Sequence, residues 1–133
     1  MQTAPLTRGG IVFRVHGRPL FLPAELALKV VPRPKIARVP GAPPGILGLA
    51  LSDGVILPVL ELGAGSSVAS AMIVCVHGSE QLGLVGVTDI VSGMFPASGA
   101  DGVIASDTVV PALDLEEIYA RVHPVTWGAG WGG

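Results

Sequence analysis

Residues 46–62, ILGLALSDGVILPVLEL, constrain this chain more than any other stretch. Two apolar runs, 46–51 and 55–60, are joined by Ser52-Asp53-Gly54, and a short polar joint ending in glycine between such runs signals a β-hairpin. Alternation along the second run puts Val55, Leu57 and Val59 on one face and Ile56, Pro58 and Leu60 on the other. Both faces are apolar, so one can meet something other than the chain's own core. Pro58 donates no ladder hydrogen bond, which predicts an edge or bulged position for the second strand.

One hairpin is not a fold, and the rest of the chain supplies more of the same. At 133 residues, 50% of them hydrophobic, one domain can bury roughly two thirds of the surface its unfolded chain exposes. Only 14% of residues are charged, while Gly 19 and Pro 12 place turns at close intervals, a composition of barrels and sandwiches rather than helices. Net charge is −2 with no basic run, which argues against direct nucleic-acid binding. The start, MQTAPLTRGG, lacks a basic and apolar leader, and no apolar run approaches the roughly 20 residues that span a bilayer. The expectation is a cytoplasmic, soluble protein with no direct membrane insertion. Cys75 is the lone cysteine, so an intrachain disulfide is excluded; inside an apolar run it reads as a small core residue.

Taken in order, residues 11–15 alternate and turn at Gly17-Arg18 into a return strand, 19–22, that Pro23 stops. Pro23-Ala24-Glu25-Leu26 suits a single helical turn, 28–31 a resumed strand and 36–39 a short extended piece. The connection PGAPPG then leads into the hairpin at 46–62. Gly63-Ala64-Gly65-Ser66-Ser67 is small and polar, the best place for a junction between subdomains. Beyond it, 72–76 and 82–87 read as paired strands, 89–94 as a helical turn or a strand, and 103–105 with 108–113 as a hairpin across Ser106-Asp107. Asp114 with Glu117 makes a capping-box pattern, and Leu115, Ile118, Tyr119 and Val122 fall at helical spacing. Residues 123–133 read as a flexible tail, with Trp127 and Trp131 as a possible anchor for a partner.

A weak duplication runs through this order. Val15-His16-Gly17 echoes Val76-His77-Gly78, and SDGVILPVLEL echoes SDTVVPALDL. The reading is a single mainly β domain of two small barrels packed face to face, one over about 10–64 and the other over about 68–122.

With these motifs in place, the chain resembles the CheW-like domain of bacterial chemosensory systems over nearly its whole length. The opening hairpin, the segment IARVPGAPPGILGLALSDGVILPVLEL, then VHGSEQLGLVGVTDIV and VVPALDLEEIYA carry the resemblance. Ile46, Gly48, Gly54, Pro58, Val59, Glu61 and Leu62 match its spacing in order. The resemblance implies two SH3-like five-stranded barrels with a short C-terminal helix, no catalysis, no cofactor and no metal. It implies an adaptor that binds the cytoplasmic tip of a chemoreceptor and the regulatory domain of a CheA-type histidine kinase. Val30, Val31, Ile90 and Val91 sit where it places a receptor groove, and Lys29, Ile46, Gly48 and Asp53 where it places a kinase interface.

Asp53 replaces the arginine usual in that turn, Leu51 its asparagine, and Lys29 a common glutamate; Thr88 stands where aspartate is usual, unless that motif is shifted onto Asp89. Two charge reversals on partner-facing surfaces predict a kinase coupling that is weakened or redirected. The residues themselves argue against other classes. Asp53 and Asp107 lack the Asp-Thr/Ser-Gly context of paired catalytic carboxylates, and read as turn aspartates. His16, His77 and His123 are scattered, and no nucleophile triad or phosphate-cradling glycine motif is present. A small-ligand- or peptide-binding barrel outside chemotaxis is the alternative.

Overall fold

The computed structural model describes residues 6–42, 45–63, 71–99 and 101–122, the side chains of 121 and 122 excepted. Among the described residues, ten strands and one helix follow in order. They are β1 (Thr7–Val15), β2 (Arg18–Pro23), β3 (Ala27–Pro32), β4 (Ile46–Ser52), β5 (Val55–Glu61), β6 (Ala71–His77), β7 (Glu80–Val85), β8 (Thr88–Ser98), β9 (Gly102–Ala105), β10 (Thr108–Val110) and α1 (Leu115–Val122). The fold is mainly β, and the strands make two five-stranded sheets: sheet one in the order β10-β9-β8-β1-β2, sheet two in the order β3-β6-β7-β5-β4.

The turns follow from local chemistry. The β1–β2, β4–β5 and β9–β10 hairpins turn on pairs with positive φ: His16-Gly17, Asp53-Gly54 and Ser106-Asp107. Two consecutive left-handed residues match the twist of antiparallel strands, and Asp and Gly are among the residues that adopt this backbone at low cost. Segment 89–94 is strand, part of β8, and not a helical turn. Its register against β1 slips between Val12 and Arg14, where Asp89 has a φ of 52°. Asp89 and this slip mark a bulge that lets one long strand reach both β1 and β9.

Each sheet curls until its ends meet. In sheet one the chain leaving β10 returns to β2: Phe21 N–H donates to the Pro111 carbonyl at 2.9 Å, and Leu113 N–H to that of Phe21 at 2.8 Å. In sheet two the segment after β3 crosses to β4, where Ala37 and Leu49 exchange two backbone hydrogen bonds of 2.8 Å. Gly48 is buried at that seam, and a Cβ there would run into the Ala37 carbonyl. The seam therefore requires a glycine.

The division expected at residues 63–67 is not the division between sheets. Sheet one takes β1 and β2 from before that stretch and β8, β9 and β10 from after it; sheet two takes β3, β4 and β5 from before and β6 and β7 from after. The echo is nonetheless visible, with its partners exchanged. The His-Gly hairpin of the first half shares a sheet with the Ser-Asp hairpin of the second, and the reverse holds for the other sheet. Pro58 meets one of the two expected settings: β5 lies between β7 and β4, not at an edge, but its register against β4 shifts close by, between Ile46 and Gly48 opposite Leu60 and Val59. The parallel ladder to β7 spans only Val59–Glu61, so at Pro58 the strand has β4 alone beside it and no second ladder to interrupt.

Three apolar clusters hold this together. Leu57, Val59, Met72, Val74 and Val85 fill the interior of sheet two, and Val12, Phe21, Val103 and Val110 that of sheet one, with Phe95 edge-on to Phe21. Between the sheets lie Ile11, Phe13 and Leu22 from one and Leu60, Ile73, Cys75, Leu82 and Leu84 from the other. Helix α1 closes the same cluster with Leu115, Ile118 and Tyr119. Glu117 N–H donates to Asp114 Oδ1 at 3.0 Å, the predicted cap.

Candidate protein-interaction surfaces

Lys29 lies on β3 and Asp53 in the β4–β5 turn, the two margins of sheet two, and they form an ion pair with each other. The two sequence departures that predicted two reversed charges facing a partner are thus the two ends of one intramolecular contact. Lys29 is half-buried and Asp53 exposed, so water screens the pair and its contribution to stability is small. The other two interface candidates lie inward. Ile46 pairs with Leu60 and packs against the inter-sheet core, while Gly48 serves the seam with Ala37.

The four groove candidates sit in different surroundings. On β3, Val31 points to the interior of sheet two, where it packs against the cluster of Leu57 and Met72, and Val30 faces outward, 41% exposed. On β8, Ile90 packs against the inter-sheet core. Val91, 54% exposed, opposes Val12 and lines a pocket at the end of sheet one with Phe95 and Ile104; none of the other three lines that pocket. Val30 and Val91 are therefore the candidates whose side chains are presented to solvent.

A surface the sequence reading did not single out lies on sheet two. Ala37 opposes Leu49, so Lys35 and Leu51, two residues away on either strand, share its outward face. Leu51 in turn opposes Ile56. Ile36 and Ala50 point the other way, into the core. Leu51 is 63% exposed and Ile56 70%, and an apolar pocket lies between them and the segment 35–37. The two apolar faces of residues 55–60 foreshadow this surface. The crossing of 35–37 onto β4 does not show in the sequence, because it pairs residues through one isolated bridge rather than a strand-length pattern.

The polar candidates are likewise dispersed. Asp53 and Asp107 stand in turns of different sheets. His16 is exposed at the β1–β2 turn, while the His77 ring stacks on Tyr119 with centroids 4.7 Å apart. Tyr119 donates to the Glu80 carbonyl at 2.9 Å. Burial pushes the Tyr119 hydroxyl well above its ordinary range, helped by the neighbouring Cys75 and Glu80. Burial likewise pushes the Cys75 thiol up to about 12, only partly offset by its own backbone hydrogen bond. Both groups stay neutral and serve to seat α1 and β6, a role that residues 44 positions apart do not reveal in sequence. His123, Trp127 and Trp131 lie outside the described residues. Among the described residues no helix is long and apolar enough to cross a membrane, and no group of three or more His, Cys, Asp or Glu is placed to hold a metal ion.

The chain superposes on a solved structure described as the scaffolding protein TtCheW from Thermoanaerobacter tengcongensis. The TM-score is 0.65 at 19% sequence identity, covering 83% of this chain and 86% of that one. No family model and no curated protein sequence matches the chain. The likeness is one of fold, and it extends over both sheets.

Proposed function

We propose that this protein is a non-catalytic scaffold of a chemosensory array. It binds the cytoplasmic tip of a methyl-accepting receptor and the regulatory domain of a CheA-type histidine kinase. The observation that carries the reading is the two-barrel likeness to a scaffolding protein over more than four fifths of each chain. The outward-facing aliphatic side chains on both sheets suit that role, because apolar centres ringed by polar groups are what protein partners bury. Of the alternative, a small-ligand- or peptide-binding barrel, the enclosed small ligand requires an internal cavity, whereas both interiors are occupied by packed side chains.

The test is capture by the receptor tip and by the kinase regulatory domain encoded in the same genome, each scored separately. Val31 packs against the core, so a charge there would perturb the fold; Val30 and Val91 are the informative positions. Val30→Asp and Val91→Asp should each weaken receptor capture at least tenfold while the melting midpoint holds, since a carboxylate would be buried against apolar side chains. Full-strength capture by both variants would place the receptor elsewhere. Failure of the wild type to capture either partner would end the scaffold reading.

A further inference from the structure

The described residues leave one motif of the sequence unused. Both tryptophans of the chain, Trp127 and Trp131, stand in residues 123–133, a segment that contains no Asp, Glu, Lys or Arg. The other Phe and Tyr residues are all engaged, Phe13 and Tyr119 between the sheets and Phe21 and Phe95 in the interior of sheet one. Large aromatic side chains carry more apolar area than any others, so two of them in one uncharged segment favour contact with an apolar surface.

Sheet two offers that surface. Leu51 and Ile56 are exposed on its outside, and with Ala37 and Leu49 they line a pocket of about 490 Å³ that holds no carboxylate. Lys35 is the one charged side chain in its wall, and Arg33 and Arg38 are exposed on the same crossing segment. A cation beside an apolar floor suits the face of an indole. By contrast, the pocket at the end of sheet one has Arg14 and Asp89 in its wall, and the cleft beside α1 has Asp101, Asp114 and Glu116, charges that an uncharged segment cannot pair. The pocket on sheet two is also within reach. Tyr119 stacks on His77, which stands three residues, about 10 Å, along β6 from Val74. Val74 opposes Lys29, whose amine meets Asp53, and Ile56 follows Asp53 by three residues. Trp127 and Trp131 come five and nine residues after Val122, enough for about 17 Å and about 30 Å of extended chain.

We propose that residues 123–133 fold back over sheet two of the same chain and seat a tryptophan against Leu51 and Ile56, with Lys35 beside its ring. The chain thereby covers its own exposed aliphatic face. A partner that uses this face has to displace the segment first, so its apparent affinity falls by the fraction of chains in which the face is open.

Tryptophan fluorescence of the full chain reads this contact directly, because both tryptophans lie in the segment. The native emission should be blue-shifted from that of the urea-unfolded chain and quenched several-fold less by acrylamide. Both properties should hold on dilution, as a contact within one chain requires. Leu51 and Ile56 are exposed, so Ile56→Asp and Leu51→Asp should each release the segment, moving emission and quenching to the unfolded values at an unchanged melting midpoint. Val109→Asp, at an equally exposed site on sheet one, should leave both as in the wild type. A folded wild type whose tryptophans are already as accessible as in the unfolded chain overturns the proposal. So does protection that survives both sheet-two variants, that is lost in Val109→Asp, or that fades on dilution, the last meaning that a second copy supplies the surface. Receptor and kinase take no part in this experiment, so its outcome is separate from that of the scaffold reading.

Discussion

The two sheets are built from equivalent parts and differ in how the chain reaches them. Each combines one His-Gly hairpin, one Ser-Asp hairpin and a fifth strand, β8 in sheet one and β3 in sheet two. Sheet two is continuous from β3 to β7. Sheet one is interrupted by all of it, since β1 and β2 must wait for β8, β9 and β10. The continuous sheet needs only closures within one segment, whereas the interrupted one brings together residues far apart in sequence, with a larger loss of chain entropy before any contact rewards it. What keeps them from being independent is the cluster between them, where Ile11, Phe13 and Leu22 meet Leu60, Ile73 and Leu84 under the cover of α1.

The sharpest way to break this comparison is to empty one interior and observe the other. Phe21 is fully buried in sheet one and lies edge-on to Phe95. Phe21→Ala should therefore cost about 3–5 kcal/mol. Leu57→Ala, fully buried in sheet two, should cost about 2–5 kcal/mol. If the inter-sheet cluster couples the two, either variant shifts one cooperative urea transition and lowers amide protection in both sheets. Loss of protection confined to β1, β2 and β8–β10 in Phe21→Ala would mean that the continuous sheet stands by itself.

The next largest effect is read at high pH, in the layer between the sheets. The Cys75 thiol, about 9.0 in an exposed chain, lies near 12 when folded, and the Tyr119 hydroxyl is raised as well. The unfolded chain therefore releases protons that the folded one holds, so stability is full below about pH 9 and declines as pH rises towards about 12. Tyr119→Phe also removes the bond to the Glu80 carbonyl, which should cost about 1 kcal/mol at neutral pH. Unfolding midpoints from pH 7 to 11 should show a shallower alkaline decline in Cys75→Ala and in Tyr119→Phe than in the wild type. Equal slopes in all three would remove these groups as the cause.

Local chemistry was legible in the sequence and long-range assembly was not. The Ser-Asp and His-Gly turns, the 46–62 hairpin and the helix after Asp114 each announce themselves within a few residues, because φ preference, alternation and capping act over that range. The echo of His16-Gly17 in His77-Gly78 is also real. It does not mark the division between sheets, since similar hairpins from opposite halves pair as readily as neighbours and only packing decides. The same limit applied to Lys29 and Asp53: 24 positions apart, each looked like a separate surface charge until β3 and the β4–β5 turn were seen to meet. Pro58 shows local and long-range signals together: the bulge beside it fits proline's missing donor, while its place in an interior strand depends on a β7 ladder that starts one residue later.

A smaller effect separates the helix from the sheets it bridges. Asp114→Ala removes the acceptor for the Glu117 amide and should lower stability by about 1 kcal/mol without altering partner capture. An unchanged midpoint would mean that packing of Leu115, Ile118 and Tyr119 alone sets the helix start.

The smallest expected effect bears on the closure of sheet two and on the kinase. With Lys29 and Asp53 both accessible to water, their attraction should be worth about 0–1 kcal/mol, and Lys29→Glu should lower stability by about that much by setting two carboxylates together. Asp53 also holds a φ of 50°, a conformation aspartate and asparagine tolerate better than arginine. Asp53→Asn therefore removes the charge and keeps the turn, whereas Asp53→Arg changes both. Titration against the kinase regulatory domain then distinguishes two cases. If the pair is self-contained, Asp53→Asn and the double variant Lys29→Glu with Asp53→Arg bind as the wild type does, because none of these proteins sets like charges together at this site. If the kinase reads these charges, the double variant binds tighter than the wild type by about tenfold or more, and the reversed pair is then what sets this chain's partner apart.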